Sequence, residues 1–101
     1  MTDRDFARIQ AAFPALTWHW HTPRQMRGEV APVGCVCVVV DLYRAGTNVW
    51  YIARLMFRGG QVWQATDDDL TAALSAARAA VAALRDDLTA ALTPPPSPDG
   101  R

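Results

Sequence analysis

Lysine is absent from this chain and glutamate occurs once, so charge rests on ten arginines against nine aspartates and Glu29, which sum to zero. A neutral balance excludes an overall field that would draw the protein onto nucleic acid or an anionic membrane; binding of that kind would need a local patch. The arginine, aspartate and alanine bias reads as GC-rich coding, although each arginine keeps its planar, forked donors. Cysteine is scarce, with only Cys35 and Cys37. An extended strand would hold the two about 7 Å apart, at or beyond ordinary disulfide geometry, so they read as buried thiols in a reducing compartment. No stretch approaches the roughly 18 apolar residues that span a bilayer. The first residues lack the basic-then-apolar order of a secretory leader, which makes a cytoplasmic location without membrane contact the expectation. Also missing are a nucleophile elbow, a glycine-rich phosphate loop and His-Glu pairs at metalloprotease spacing. The expectation is a non-catalytic protein without cofactor or metal.

What is present suffices for a folded unit. Half of the 101 residues are apolar and a fifth are charged. The reading is one α+β domain over residues 1–93, followed by a proline-rich flexible tail over 94–101. Phe6, Ile9 and Phe13 recur at helical spacing, predicting a short N-terminal helix from Thr2 to Phe13, stopped by Pro14. Leu16 to His21 alternates like a strand, with Trp18 and Trp20 on one side and His19 and His21 on the other. Thr22 to Gly28, with Pro23, Arg24 and Arg27, reads as a loop. Val30 to Leu42 contains the β-branched run of a central strand, with Pro32 near its start. A turn at Arg44–Asn48 reverses the chain into a strand from Val49 to Arg58. Gly59-Gly60 reverses it again into a short strand over Val62–Ala65. The sheet expected is an antiparallel meander of three to four strands.

Leu70, Leu74, Ala77, Val81, Leu84, Leu88 and Ala91 then trace one helical stripe at alternating spacings of four and three. Thr66 and Asp69 suit a capping box, and Asp67 and Asp68 suit the positive end of the helix. The result is a long C-terminal amphipathic helix packed on one sheet face and ending near Leu92, before Pro94. About 26 residues would reach near 39 Å, longer than the globule beneath it. A projecting apolar stripe needs a cover, which predicts a homodimer through Leu74, Ala77, Val81, Leu84 and Leu88.

Candidate binding residues follow from the same register. Val49, Tyr51, Ala53, Leu55 and Phe57 form the apolar side that belongs under the long helix. The opposite side carries Trp50, Ile52, Arg54, Met56 and Arg58, a mixture enriched at recognition surfaces. Trp50, Arg54, Met56 and Arg58, with Arg24 and Arg27 from the loop, form the predicted partner-binding set. The bland alternative is that these arginines merely lie over a half-buried face and pair with Asp41 or Glu29. Trp18, Trp20 and Trp63 belong either to that surface or to the core. His19, His21, Cys35 and Cys37 are the only pairs with metal-ligating chemistry, but ligands on extended strands suit a zinc cage poorly. The triplet Asp67-Asp68-Asp69 diverges around a helix, so capping explains it better than a cation.

In outline alone, the order helix, strands, long helix resembles double-stranded-RNA-binding modules. Such modules place a basic cluster at the start of the last helix, where this chain has Thr66-Asp67-Asp68-Asp69, which would repel phosphate. The favoured reading is a small protein-interaction module, homodimeric, serving as adaptor, inhibitor or regulatory subunit, with a phage or mobile element among its sources and an unknown protein partner. The alternative is a single-stranded nucleic-acid binder that stacks bases on Trp50 beside Arg54 and Arg58.

Overall fold

The computed structural model describes residues 1–30 and 35–94. Pro32 at the start of the predicted central strand, and the tail from residue 95 onward, lie outside the described residues. The chain runs α1 (Asp3–Ala12), β1 (Thr17–Thr22), β2 (Gln25–Glu29), β3 (Val36–Ala45), β4 (Asn48–Phe57), β5 (Gly60–Asp67) and α2 (Leu70–Leu92). The sheet is an antiparallel meander in the order β1-β2-β3-β4-β5, and both helices lie on one of its faces.

The α+β architecture matches the expected one, with one strand more than the three to four foreseen. The addition is β2, cut from the stretch Thr22–Gly28 that reads as loop. Its inward positions are Met26 and Gly28, both buried, while Gln25, Arg27 and Glu29 face the other way. A strand with one large apolar side chain carries a weak period-two signal, and its glycine reads as a breaker. The glycine has a packing reason: a β-carbon built on Gly28 would stand 2.6 Å from the Trp18 ring. Trp18 lies flat over that gap, and its indole N–H donates to the Phe13 carbonyl at 3.1 Å.

Cross-strand register assembles the covered face in rows. Trp18, Gly28, Val38, Leu55 and Trp63 stand side by side across the five strands, and Trp20, Met26, Val40, Ala53 and Ala65 form the next row. Ile9 and Phe13 of α1 and Leu70, Ala73, Leu74 and Ala77 of α2 close over them. The Phe6 ring adds a tilted contact with Trp20, 5.4 Å between centroids.

The caps follow side-chain chemistry. The Thr2 hydroxyl accepts the Asp5 N–H at 3.1 Å, and the Asp5 carboxylate accepts the Thr2 N–H at 3.2 Å, a complete capping box. On α2 the cap is Asp69 rather than Thr66. Its carboxylate accepts the N–H groups of Thr71 and Ala72, both at 3.3 Å. Thr66 is unavailable because β5 runs on to Asp67 and pairs Thr66 with Ile52. The 23 residues of α2 make a helix of about 34 Å. Among the described residues, no helix is long and apolar enough to cross a membrane.

Two tight turns fix the long hairpins. Ala45 pairs with Asn48 across Gly46-Thr47, with Gly46 at φ +60°. Phe57 pairs with Gly60 across Arg58-Gly59, both at positive φ, 53° and 83°. Positive φ at both central residues is the requirement of a type I′ hairpin, and Arg58 meets it without the freedom of glycine.

Candidate functional site

Both helices sit on one face; among the described residues no other element covers the second face, which is paved by side chains. In register across it lie Glu29, Cys37, Met56 and Gln61; then His19, Arg27, Val39, Arg54 and Gln64; then Gln25, Asp41, Ile52 and Thr66; and last Tyr43 and Trp50. Val39 is only 4% exposed although no helix covers it. Its neighbours in the row are Arg27 and Arg54, long side chains whose aliphatic stems can cover such a residue.

A polar seam crosses four strands of this face. Asp41, 7% exposed, accepts from the Gln25 amide at 2.7 Å and forms an ion pair with Arg54. Arg54 also donates to the Gln64 side-chain carbonyl and to the Tyr43 hydroxyl, each at 3.4 Å. Gln64 in turn accepts from Gln61 at 3.1 Å. The hydrogen bond to Tyr43, and then the nearby Asp41 carboxylate, raise the Arg54 pKa against the opposing effect of burial. A guanidinium held this way is a fixed, permanently charged fork whose charge is already matched within the chain.

At the end of the seam the Tyr43 and Trp50 rings stack, with centroids 6.0 Å apart and planes 12° from parallel. Tyr43 and Trp50 are cross-strand partners lying symmetrically about the Gly46-Thr47 turn. That symmetry is visible in the sequence once the turn is placed, and it was the signal available for a pair that residue-by-residue reading missed. Asp41 also stands out in sequence, as the one acid in a β-branched run; Gln25 and Gln64 give no such sign.

The structure brings Trp50, Arg54, Met56 and Arg27 of the partner-binding set onto this one face. Arg24 and Arg58 do not join them. Arg24 sits in the β1–β2 turn, where its carbonyl accepts the Leu42 N–H. Arg58 lies past the end of β4 in the turn at the opposite end of the sheet, its N–H donating to the Cys35 carbonyl at 2.7 Å. Of the stripe assigned to a dimer, Leu74 and Ala77 are inside this chain's own core and Val81 and Leu84 pack against it; Leu88 is 43% exposed.

The histidine and cysteine pairs stay apart. His19 is on β1 and Cys37 on β3, two strand spacings and a two-residue offset or about 12 Å away, with β2 between them. Among the described residues, no three His, Cys, Asp or Glu side chains are grouped as a metal ion would need. Cys35 and Cys37 instead line a hollow of about 300 Å³ with Arg27, Glu29 and Met56. Burial raises the Cys37 pKa, with Glu29 adding to the rise and Arg27 opposing it. The thiolate is the reacting form. Near pH 8 a disulfide reagent is therefore expected to label exposed Cys35 before Cys37, with Cys37 following as pH rises. Peptide mapping after partial labelling reads the order, and Cys37 reacting first would contradict it.

Compared with family models, curated proteins and solved structures, the chain matches none. The open face is thus judged on its own chemistry: a largely polar sheet surface on which Asp41 and Arg54 are paired and Tyr43 and Trp50 stack at one end.

Proposed function

We propose that this chain is a non-catalytic protein-interaction module, homodimeric, that receives a protein partner on its open sheet face and serves as an adaptor, inhibitor or regulatory subunit. The observation that carries the reading is the neutralised seam beside the stacked Tyr43–Trp50 pair. Aromatic, methionine and arginine side chains are enriched in protein interfaces, and all three types meet on this face. Because Arg54 is already paired with Asp41, the face offers contact area and hydrogen bonds more than a track for phosphates.

The alternative is a single-stranded nucleic-acid binder, favoured by the same ring pair, since base stacking on aromatics tolerates any sequence. Salt separates the two. A phosphate-tracking binder loses affinity steeply between about 50 and 200 mM salt, whereas a mainly apolar protein contact does not.

The test replaces Trp50 and Met56 together by threonine, which keeps β-strand propensity. The expected result is an unchanged far-UV spectrum and loss of the protein that the parent chain captures at both salt levels. Capture that survives the double substitution would remove the open face from the interface. Oligonucleotide uptake confined to low salt and lost with Trp50→Thr would transfer the reading to nucleic acid.

A further inference from the structure

We infer that two copies of this chain join through their β5 edges, extending the sheet to ten strands and laying their α2 helices antiparallel side by side. The inference rests on the homodimeric reading above and names the surface that makes the dimer.

The first observation is the edge itself. Among the described residues, β5 pairs with β4 alone, leaving its outer backbone groups unpaired. Solvent-exposed edges are ordinarily guarded by lysine, proline or inward charge. β5 has none of these: its sequence is Gly-Gln-Val-Trp-Gln-Ala-Thr-Asp, charged only at its last residue, with Val62 54% exposed. A register shift between Leu55 and Met56 leaves Val62 as an extra residue near the start of β5; from Trp63 to Asp67 the pairing with β4 is regular, so those five residues are the template for another strand. The other edge, β1, is shorter and is also irregular, its register broken between Trp20 and Thr22, which leaves only Thr17–Trp20 in regular pairing.

The second observation is the helix flank above that edge. On α2, Ala72, Ala76, Ala80 and Ala83 fall within an arc of about 80°. Ala80 and Ala83 line a groove with Val62 and Trp63, which sets this flank on the β5 side. The opposite flank, with Thr71, Ser75 and Arg78, faces α1. Alanine lets a second helix approach closely, and nothing larger than alanine stands in the way until Asp87.

The spacings then agree without adjustment. Antiparallel β5–β5 pairing places a twofold axis perpendicular to the sheet, so both α2 helices lie on the same face. Each β5 is about 2.4 Å from that axis and each β4 about 7.2 Å. Because α2 packs on β4 and β5 together, its axis lies near 4.8 Å, and the two helices run about 10 Å apart. Helices in contact pack at about 8–10 Å, the shorter values belonging to small side chains. The contact strip is roughly 17 Å long, the length of the five regularly paired strand residues, and about 20 Å high through sheet and helix, or on the order of 350 Å² per copy. Two such surfaces reach about 700 Å², the size of a weak interface that fills as concentration rises.

Sedimentation and light scattering test this on the full chain. The expected mass rises with concentration towards twice 11.1 kDa. Val62→Lys on the edge and Ala83→Arg on the flank, both at exposed positions, are each expected to weaken the dimer at least tenfold while leaving the far-UV spectrum unchanged. Leu88→Ser, on the projecting end of α2, should leave it intact. Independently of any weakening, Gln64→Cys on a Cys35→Ser, Cys37→Ser background should be joined into covalent dimers by a short bis-maleimide. A dimer dissolved by Leu88→Ser but not by the other two, with no cross-link, overturns the β5 arrangement and leaves the homodimeric reading standing. A monomer at every concentration overturns both.

Discussion

Gly28→Ala is expected to lower stability by about 3 kcal/mol, the upper part of the range for overpacked cores. The new methyl would stand 2.6–2.7 Å from three atoms of the Trp18 ring, closer than packed atoms sit. The ring cannot simply move aside, because its N–H is bound to the Phe13 carbonyl and its face is pressed between the sheet and α1. For a domain of this size the melting point should fall by roughly 12–24 °C. Gly60→Ala is the matched control: its β-carbon would meet only the Phe57 carbonyl, at an ordinary 3.7 Å, and its φ is not in the left-handed region. That protein should melt within a few degrees of the parent. If Gly28→Ala melts there too, the indole is not fixed as described. If Trp18→Phe restores stability to the Gly28→Ala protein, the ring is identified as the obstacle.

The second large effect concerns Asp41 and Arg54. Asp41→Leu leaves a half-buried guanidinium without its carboxylate and the Gln25 amide without its acceptor. Removing one partner of a buried pair is costly because the other charge stays behind. With the Arg54 side chain 23% exposed, water recovers part of that cost, and a loss of about 2 kcal/mol is expected in urea melts. The double substitution Asp41→Leu with Arg54→Met should return most of it, since two apolar side chains of similar size then face each other. The coupling should exceed either single loss, because Arg54→Met likewise strands the buried Asp41 carboxylate. A neutral Asp41→Leu would instead place the pair among solvated surface ions that contribute little. The same variants separate packing from binding, because the double substitution removes the charge while keeping the face covered.

Legibility from sequence varied with how many side chains carried each signal. α2 could be read because seven residues repeat one stripe, and its end at Leu92 because Pro94 follows closely. The β3–β4 hairpin could be read from its β-branched run and its turn, and the apolar side of β4 from strict alternation. β2 could not, because a single Met26 and a glycine shaped by Trp18 mark its inner side. The cap passed from Thr66 to Asp69 because three adjacent aspartates and a threonine all offer cap chemistry; only the length of β5 decides among them. For the candidate site, alternation placed Trp50, Arg54 and Met56 together on one face. Arg27 arrived there only once β2 was known to be a strand. The Asp41 seam depends on which residues stand opposite each other across four strands, and register of that kind is set by turn lengths that single residues do not reveal.

The order of the meander also bears on how the chain leaves the ribosome. Each strand pairs with the one synthesised just before it, so hairpins can close in sequence as they emerge. The covering helix comes last. Until Leu70, Ala73, Leu74 and Ala77 are made and docked, Val38, Val40 and Leu55 stay uncovered on a nearly complete sheet. The nascent chain therefore passes through a sticky stage whose duration is set by the translation time of α2, and slow codons in that segment would lengthen the exposure to aggregation and to chaperones.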